Sequence, residues 1–251
     1  MRVAIIGAGS MGSWFAELVD GWLEPIIVDV NEQRAIELAT HVGCDHATIG
    51  DLESVPVICT AVPIPATVDV LEQVAPISTT AVIDLSGTMT APIATMREHS
   101  PSCERISIHA LFAPDNEPGN VAAVIEEPNV VWETLRTRLE SRDNRVFKTD
   151  ARTHDQAMET VQAKVHAAII AYALAADPVD DRFHTPISAE LADLAEAVLS
   201  GSARVYADIQ EAFDGADDLA RAANDLAEAD PDRFEALYRE ARTIDRSHTP
   251  E

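Results

Sequence analysis

The sequence predicts an α/β fold: an N-terminal Rossmann-type doubly wound parallel sheet followed by an all-helical C-terminal domain. Three observations predict it. Short apolar runs rich in β-branched residues alternate with helical patterns through residues 1–150, as in a parallel sheet covered on both faces. The turn Gly7-Ala8-Gly9-Ser10-Met11-Gly12 follows the first run directly and opens a helical pattern. From Ala151 onward no strand-like run occurs. The domains are therefore read as 1–150 and 151–251.

The candidate strands are Val3–Ile6, Ile26–Asp29, Val57–Thr60, Val82–Leu85, Ile106–His109 and Val121–Glu126. In the second domain, Thr153-His154-Asp155-Gln156 has capping-box spacing, with Thr153 as N-cap. Met158, Val161, Val165, Ala168 and Tyr172 then recur at helical period. Further helices are expected over Ser188–Phe213, Asp217–Glu228 and Pro231–Ile244, punctuated by Asp177-Pro178 and Asp230-Pro231. The tail Ser247–Glu251 is expected to fray. A helical domain this small with an apolar stripe on its first helix predicts a homodimer formed through that domain.

Composition narrows the partners. The 251 residues carry 18 basic and 43 acidic side chains, a net charge of −25, yet 47% are hydrophobic. Such a chain buries a core and is no disordered acidic polymer. Phosphate-rich nucleic acid and anionic membrane surfaces are excluded as partners by repulsion. The acid excess is diffuse, and only Lys148 and Lys164 are lysines. This pattern is read as adaptation to high salt, since near 1 M the Debye length is about 3 Å and self-repulsion is screened. Cys44, Cys59 and Cys103 form no C-x-x-C, so neither a disulfide framework nor a metal site is expected. The apolar N-terminal run is too short for a signal peptide. No run approaches the roughly 18 residues that span a bilayer. A cytoplasmic protein is expected.

The glycine turn has the context of a dinucleotide site. Gly7 permits the tight turn, Gly9 lets the backbone approach a pyrophosphate, and Gly12 lets helix and strand pack closely. The N–H groups at Ser10 and Met11 open the helix toward the phosphates. Asp29 closes the second strand, where its carboxylate can accept the ribose hydroxyls and repel a 2′-phosphate. NAD is therefore favoured over NADP, with Arg34 read as a solvated helix residue. Val62 and Pro63, in the loop after the Thr60 strand, border the same cofactor.

Three further segments carry chemistry. Asp84-Leu85-Ser86 ends one strand, and Ile108-His109-Ala110-Leu111-Phe112-Ala113-Pro114 ends the next. His154-Asp155-Gln156-Ala157-Met158 is followed by Val161-Gln162 and His166. With the glycine turn and Tyr206-Ala207-Asp208-Ile209-Gln210, they resemble the prephenate dehydrogenase family, in the form of a salt-adapted archaeal member. The resemblance implies NAD-dependent oxidative decarboxylation of prephenate to 4-hydroxyphenylpyruvate, a step of tyrosine biosynthesis. His109 matches the family's catalytic histidine, which takes the ring hydroxyl proton. Ser86 matches a serine that hydrogen-bonds that histidine or the substrate hydroxyl. His166 matches a substrate-contacting histidine, with Gln162 and Lys164 beside it. His154 is read as structural or cleft-lining.

Two departures from the family stand out. Its proline and glycine after the catalytic histidine are Ala110 and Ala113 here. Its carboxylate-binding arginine is Ala197, so Lys164, Arg152 or Arg204 must supply the cation. Other readings are another two-domain NAD(P)-dependent dehydrogenase, acting on arogenate, a hydroxy acid or an imine, or a non-catalytic NAD-binding regulatory protein.

Overall fold

The structure, a computed structural model, describes residues 1–242. The chain divides into two compact units, Met1–Met158 and Glu159–Glu251. In the first, β1 (Arg2–Ile6), β2 (Glu24–Val28), β3 (Asp45–Ala47), β4 (Val55–Thr60), β5 (Ser78–Asp84), β6 (Glu104–Ala110), β7 (Asn120–Glu126) and β8 (Arg145–Lys148) form one sheet. Its order is β3-β2-β1-β4-β5-β6-β7-β8. The first six strands reproduce the doubly wound dinucleotide-binding order, whose switch point lies between β1 and β4.

The sheet departs from the predicted parallel one at its far end: β7 runs antiparallel to β6, and β8 runs parallel to β7. Only residues 111–119 connect β6 to β7, and a parallel pair needs a crossover of about a dozen residues or more. The edge strands β3 and β8 escaped the sequence reading. They are short and polar, as edge strands tend to be.

Alternation along the strands feeds both faces. Val3, Ile5, Val57, Cys59 and Ile83 join one apolar cluster, while Ala4, Ile6, Ile26 and Ile58 join another. The first face is covered by α1 (Ser10–Val19), α2 (Glu32–Val42) and α5 (Val130–Ser141), through Phe15, Leu38 and Trp132. On the other face, α3 (Ile64–Val74) and α4 (Thr90–His99) bury Leu71, Val74, Ile93 and Met96. The unit ends with α6 (Ala151–Met158). Its N-cap is Asp150, whose carboxylate accepts from Thr153 N (2.9 Å) and from the Thr153 hydroxyl. The predicted Thr153 cap is displaced because a carboxylate is the stronger acceptor for the free N–H groups.

The second unit begins as a π-helical segment, Glu159–Lys164, followed by α7 (Val165–Ala175), α8 (Pro186–Leu199), α9 (Ala203–Ala212), α10 (Gly215–Glu228) and α11 (Pro231–Ala241). The expected single helix over 188–213 is broken at Ser200-Gly201-Ser202. A helical glycine costs about 1 kcal/mol relative to alanine, and Ser202 takes the N-cap position of α9. The π-helical segment also turns the predicted stripe out of register: Val161 and Val165 are exposed, whereas Met158 and Ile169 are buried. Ile244 and the tail 247–251 lie outside the described residues. Among the described residues, no helix is long and apolar enough to cross a membrane.

Candidate active site

The carboxyl ends of the parallel strands gather the predicted residues of the α/β unit. Gly7 follows β1 with φ +117, and a Cβ there would lie 2.3 Å from the Ala61 carbonyl oxygen. A Cβ on Gly12 would lie 1.9 Å from the Gly7 carbonyl oxygen. Gly9 meets nothing within 4 Å. Two glycines thus permit close packing, while the third leaves backbone facing open space at the N-terminus of α1.

Asp29, just past β2, accepts from Ala8 N at 2.7 Å through Oδ2 and from Asn31 N at 2.8 Å through Oδ1. Its carboxylate is thereby fixed beside the glycine turn. The Thr60–Pro63 loop lies against the same turn: Ala61 N donates to the Ile6 carbonyl at 2.8 Å, and Val62 Cγ1 would be 3.4 Å from a Cβ on Gly7. These residues can hold a dinucleotide: a helix N-terminus for the phosphates, a glycine with room in front of it, and a carboxylate at the end of the neighbouring strand.

Next along the sheet, β5 ends at Asp84, a buried carboxylate to which sequence reasoning gave no role. It accepts from the Thr60 hydroxyl (2.9 Å), the Ser86 hydroxyl (2.7 Å) and Ser86 N (3.2 Å), with the Ser107 hydroxyl at 3.4 Å. Burial pushes its pKa up to about 6 against the pull of those hydrogen bonds. Ser86 Oγ also lies 2.9 Å from the Thr88 carbonyl oxygen. The hydroxyl expected to orient His109 therefore faces Asp84 and its own loop.

His109 sits near the end of β6, 9% exposed. Its neighbours Ile108 and Ala110 face the α1 and α5 side, so alternation turns His109 toward the α4 side. There its Nδ1 lies 3.0 Å from Nε2 of His154 in α6. The other nitrogen of His154, Nδ1, is 2.9 Å from Asp155 Oδ1. Asp155 in turn accepts Met89 N (2.9 Å) and Thr90 N (3.0 Å) at the start of α4. Burial, with His154 beside it, holds the His109 pKa down to about 3, opposed by Asp155. Burial also works against the charge of Asp155, but hydrogen bonds from His154, Thr90 and Met89 outweigh it and keep that carboxyl below its usual range. The loop after β5 passes the same ring, since a Cβ on Gly87 would stand 3.9 Å from His109 Nε2.

His154, read as structural or cleft-lining, is 3% exposed and lies within hydrogen-bond distance of His109. The His154-Asp155 dipeptide at a helix start was the visible signal. What was missing was that α6 returns against the sheet beside β6.

His166, Gln162 and Lys164 lie in the helical unit. His166 packs edge-on against Tyr206 at 4.8 Å, and its Nδ1 is enclosed with no hydrogen-bond partner among the described residues. Half-burial lowers its pKa. Gln162 lies in the π-helical segment. In the same segment the Ala163 carbonyl accepts Gln210 Nε2 at 2.9 Å. Lys164 is engaged by carboxylates, with Asp218 at 2.7 Å and Glu159 at 3.5 Å. Arg204 pairs with Asp208 at 2.7 Å. Among the described residues no group of three or more His, Cys, Asp or Glu could hold a metal ion.

No family model matches the chain. It is 26% identical to 4-amino-4-deoxyprephenate dehydrogenase of Streptomyces pristinaespiralis, with 99% of this chain and 92% of that protein aligned. Prephenate dehydrogenase of Aquifex aeolicus, solved with hydroxyphenyl propionate and NAD+, superposes with a TM-score of 0.71 at 16% identity, over 97% of this chain and 92% of that one. Synechocystis arogenate dehydrogenase gives a TM-score of 0.59 at 15% identity, over 96% and 98% of the two chains. Over its full length the chain is thus similar in sequence to a 4-amino-4-deoxyprephenate dehydrogenase, and it shares the fold of prephenate dehydrogenases.

Proposed function

We propose that the chain catalyses the NAD-dependent oxidative decarboxylation of prephenate to 4-hydroxyphenylpyruvate, with His109 as the proton acceptor. The observation that carries this reading is a buried, neutral imidazole at the carboxyl end of β6, in the sheet whose β1 end presents the glycine turn. Gly7, Gly9, Gly12, Ser10 and Met11 would hold the pyrophosphate, Asp29 the ribose, and Val62 and Pro63 the flank of the cofactor. NAD, when bound, would supply the acceptor for the hydride that leaves the ring carbon bearing the hydroxyl.

The chain's own part is proton handling and orientation. His109 Nε2 accepts the hydroxyl proton as the carbon–oxygen double bond forms. The bond to the ring carboxylate then breaks, carbon dioxide leaves, and its electron pair makes the ring aromatic. The oxygen, now a phenolate, takes the proton back, so no proton is gained or lost overall. Ser86 is proposed to act in the site from the loop beside His109, its hydroxyl anchored on Asp84.

Prephenate carries two carboxylates and needs a cation. Lys164 and Arg204 are already neutralised. Arg152, exposed in the first turn of α6, has no ion pair among the described residues and is the cation we assign. His166 and Gln162 are proposed to contact substrate from the helical unit.

The Streptomyces relative supports a second reading, in which the ring bears an amine in place of the hydroxyl. One assay separates the two: NADH formation with prephenate, arogenate and 4-amino-4-deoxyprephenate side by side. Turnover of the amino compound alone would replace the first reading with the second. No turnover of any of them would overturn both.

We further propose a cytoplasmic homodimer formed through the helical unit, adapted to high salt. Helix α7 is apolar on every side, a pattern of buried helices, yet only Ile169 in it is buried. A second copy of the chain is the surface that would cover it.

A further inference from the structure

Building on His109 as base, we propose that His154 and Asp155 form a proton relay behind it: they fix its tautomer and hold the abstracted proton until the product oxygen reclaims it. The tautomers follow from the end of the chain of bonds. Asp155 is a carboxylate that already accepts two backbone N–H groups, so it is an acceptor only. His154 Nδ1, 2.9 Å away, must therefore carry the proton of that bond. In the neutral ring Nε2 is then the lone-pair nitrogen. Facing it at 3.0 Å, His109 Nδ1 must donate. That leaves His109 Nε2 as the accepting nitrogen, the one that the loop at Gly87 passes.

The relay also answers a chemical difficulty. An imidazole buried as deeply as His109 disfavours a positive charge, and His154 and Asp155 are among the groups that act on that charge. When Nε2 takes the substrate proton, the proton on Nδ1 can pass to His154 Nε2. His154 then holds two protons, one on each nitrogen, with the Asp155 carboxylate against it. The cation sits beside the anion, and His109 returns to neutrality. Reversing both transfers restores the proton to the product oxygen. One proton leaves and returns, and no co-reactant is needed. His154 and Asp155 touch neither substrate nor cofactor in this scheme and are positioning residues.

The test has two arms. Nitrogen-15 histidine NMR on the free protein, assigned with His109→Asn and His154→Asn, reads which nitrogen of each ring bears the proton. Protonated Nδ1 on both rings is the expected result. An unprotonated Nδ1 on His109 would overturn the relay whatever the activity. The second arm is kinetic. His154→Gln keeps an acceptor for His109 Nδ1 but cannot take a proton, and Asp155→Asn removes the charge that stabilises the imidazolium. Each should lower kcat about tenfold or more while KM and NAD affinity stay put. Unchanged kcat in both folded variants would overturn the relay. The spectrum requires no substrate. The expected spectrum in a protein inactive toward every compound tested would therefore remove the proposed function and leave the tautomer assignment standing.

Discussion

In the α/β unit, Ile5, Phe15 and Trp132 are fully enclosed and the central strands are apolar on both faces. In the helical unit, α7 is apolar on every side and yet Leu174 is 84% exposed, with Ile187 in α8 at 79%. The first unit satisfies its own apolar surface and then places a buried imidazole at the edge of that core. Among its described residues, the second leaves these side chains uncovered. On the proposed function the difference divides the roles: the proton chemistry would belong to the unit that is closed by itself, and association to the unit that is left open.

The largest effect should come from removing the base. His109→Asn is expected to lower kcat by about 10²–10⁴-fold, with NAD affinity unchanged by titration calorimetry. An unaltered kcat would move the chemistry away from β6. Next in size is the core beneath it. Phe15→Ala should cost about 3–5 kcal/mol in chemical denaturation. Leu174→Ala should cost little in dilute solution and more as concentration rises, because the proposed association would bury it. Equal, concentration-independent losses would erase the contrast between the units.

Much of this division can be read in the residues themselves. Gly7 and Gly12 are legible because each answers a steric demand local to one turn, Gly9 because it leaves that turn's backbone open in front of the helix, and Asp29 because it closes the adjacent strand. His109 is legible as a strand-end histidine. The Asp155–His154–His109 chain is not, since residues far apart in sequence meet only when α6 packs beside β6. Asp84 was passed over for a similar reason: its donors Thr60 and Ser107 arrive from neighbouring strands. The break at Gly201 was visible but was outweighed by the apolar period on either side. The π-helical segment has no periodic signature that a pattern built on the ordinary helical repeat would detect.

Asp84 supplies a smaller test confined to the closed unit. Its folded pKa of about 6 lies above the ordinary 3.8 of an unfolded aspartate. Between these values the folded state binds more protons, so the contribution of Asp84 to stability falls as pH rises from 4 to 6. The span is about two pH units, or about 3 kcal/mol. Asp84→Asn should remove that slope, and the difference between variant and native denaturation curves isolates it from the other carboxylates. A difference independent of pH would mean that Asp84 is already ionised below pH 4.

Salt should act on both units, more gently and in ways that tell them apart. The net charge of −25 is spread along the chain, and both proposed ligands of the α/β unit are anions. At low ionic strength the protein's field slows their approach, and the Debye length shrinks from about 10 Å at 0.1 M to about 3 Å at 1 M. The ratio kcat/KM should therefore rise severalfold across that range, with kcat itself changing less, because the field acts on encounter and not on the buried His109. In the helical unit the same screening lowers repulsion between two acidic copies, so the sedimenting species should shift toward dimer. Ile187→Asp, which puts a charge on the open apolar face, should oppose that shift while leaving the rise in kcat/KM intact. If the variant lost both responses together, the two units would be coupled through assembly, and the separation of chemistry from association would fail.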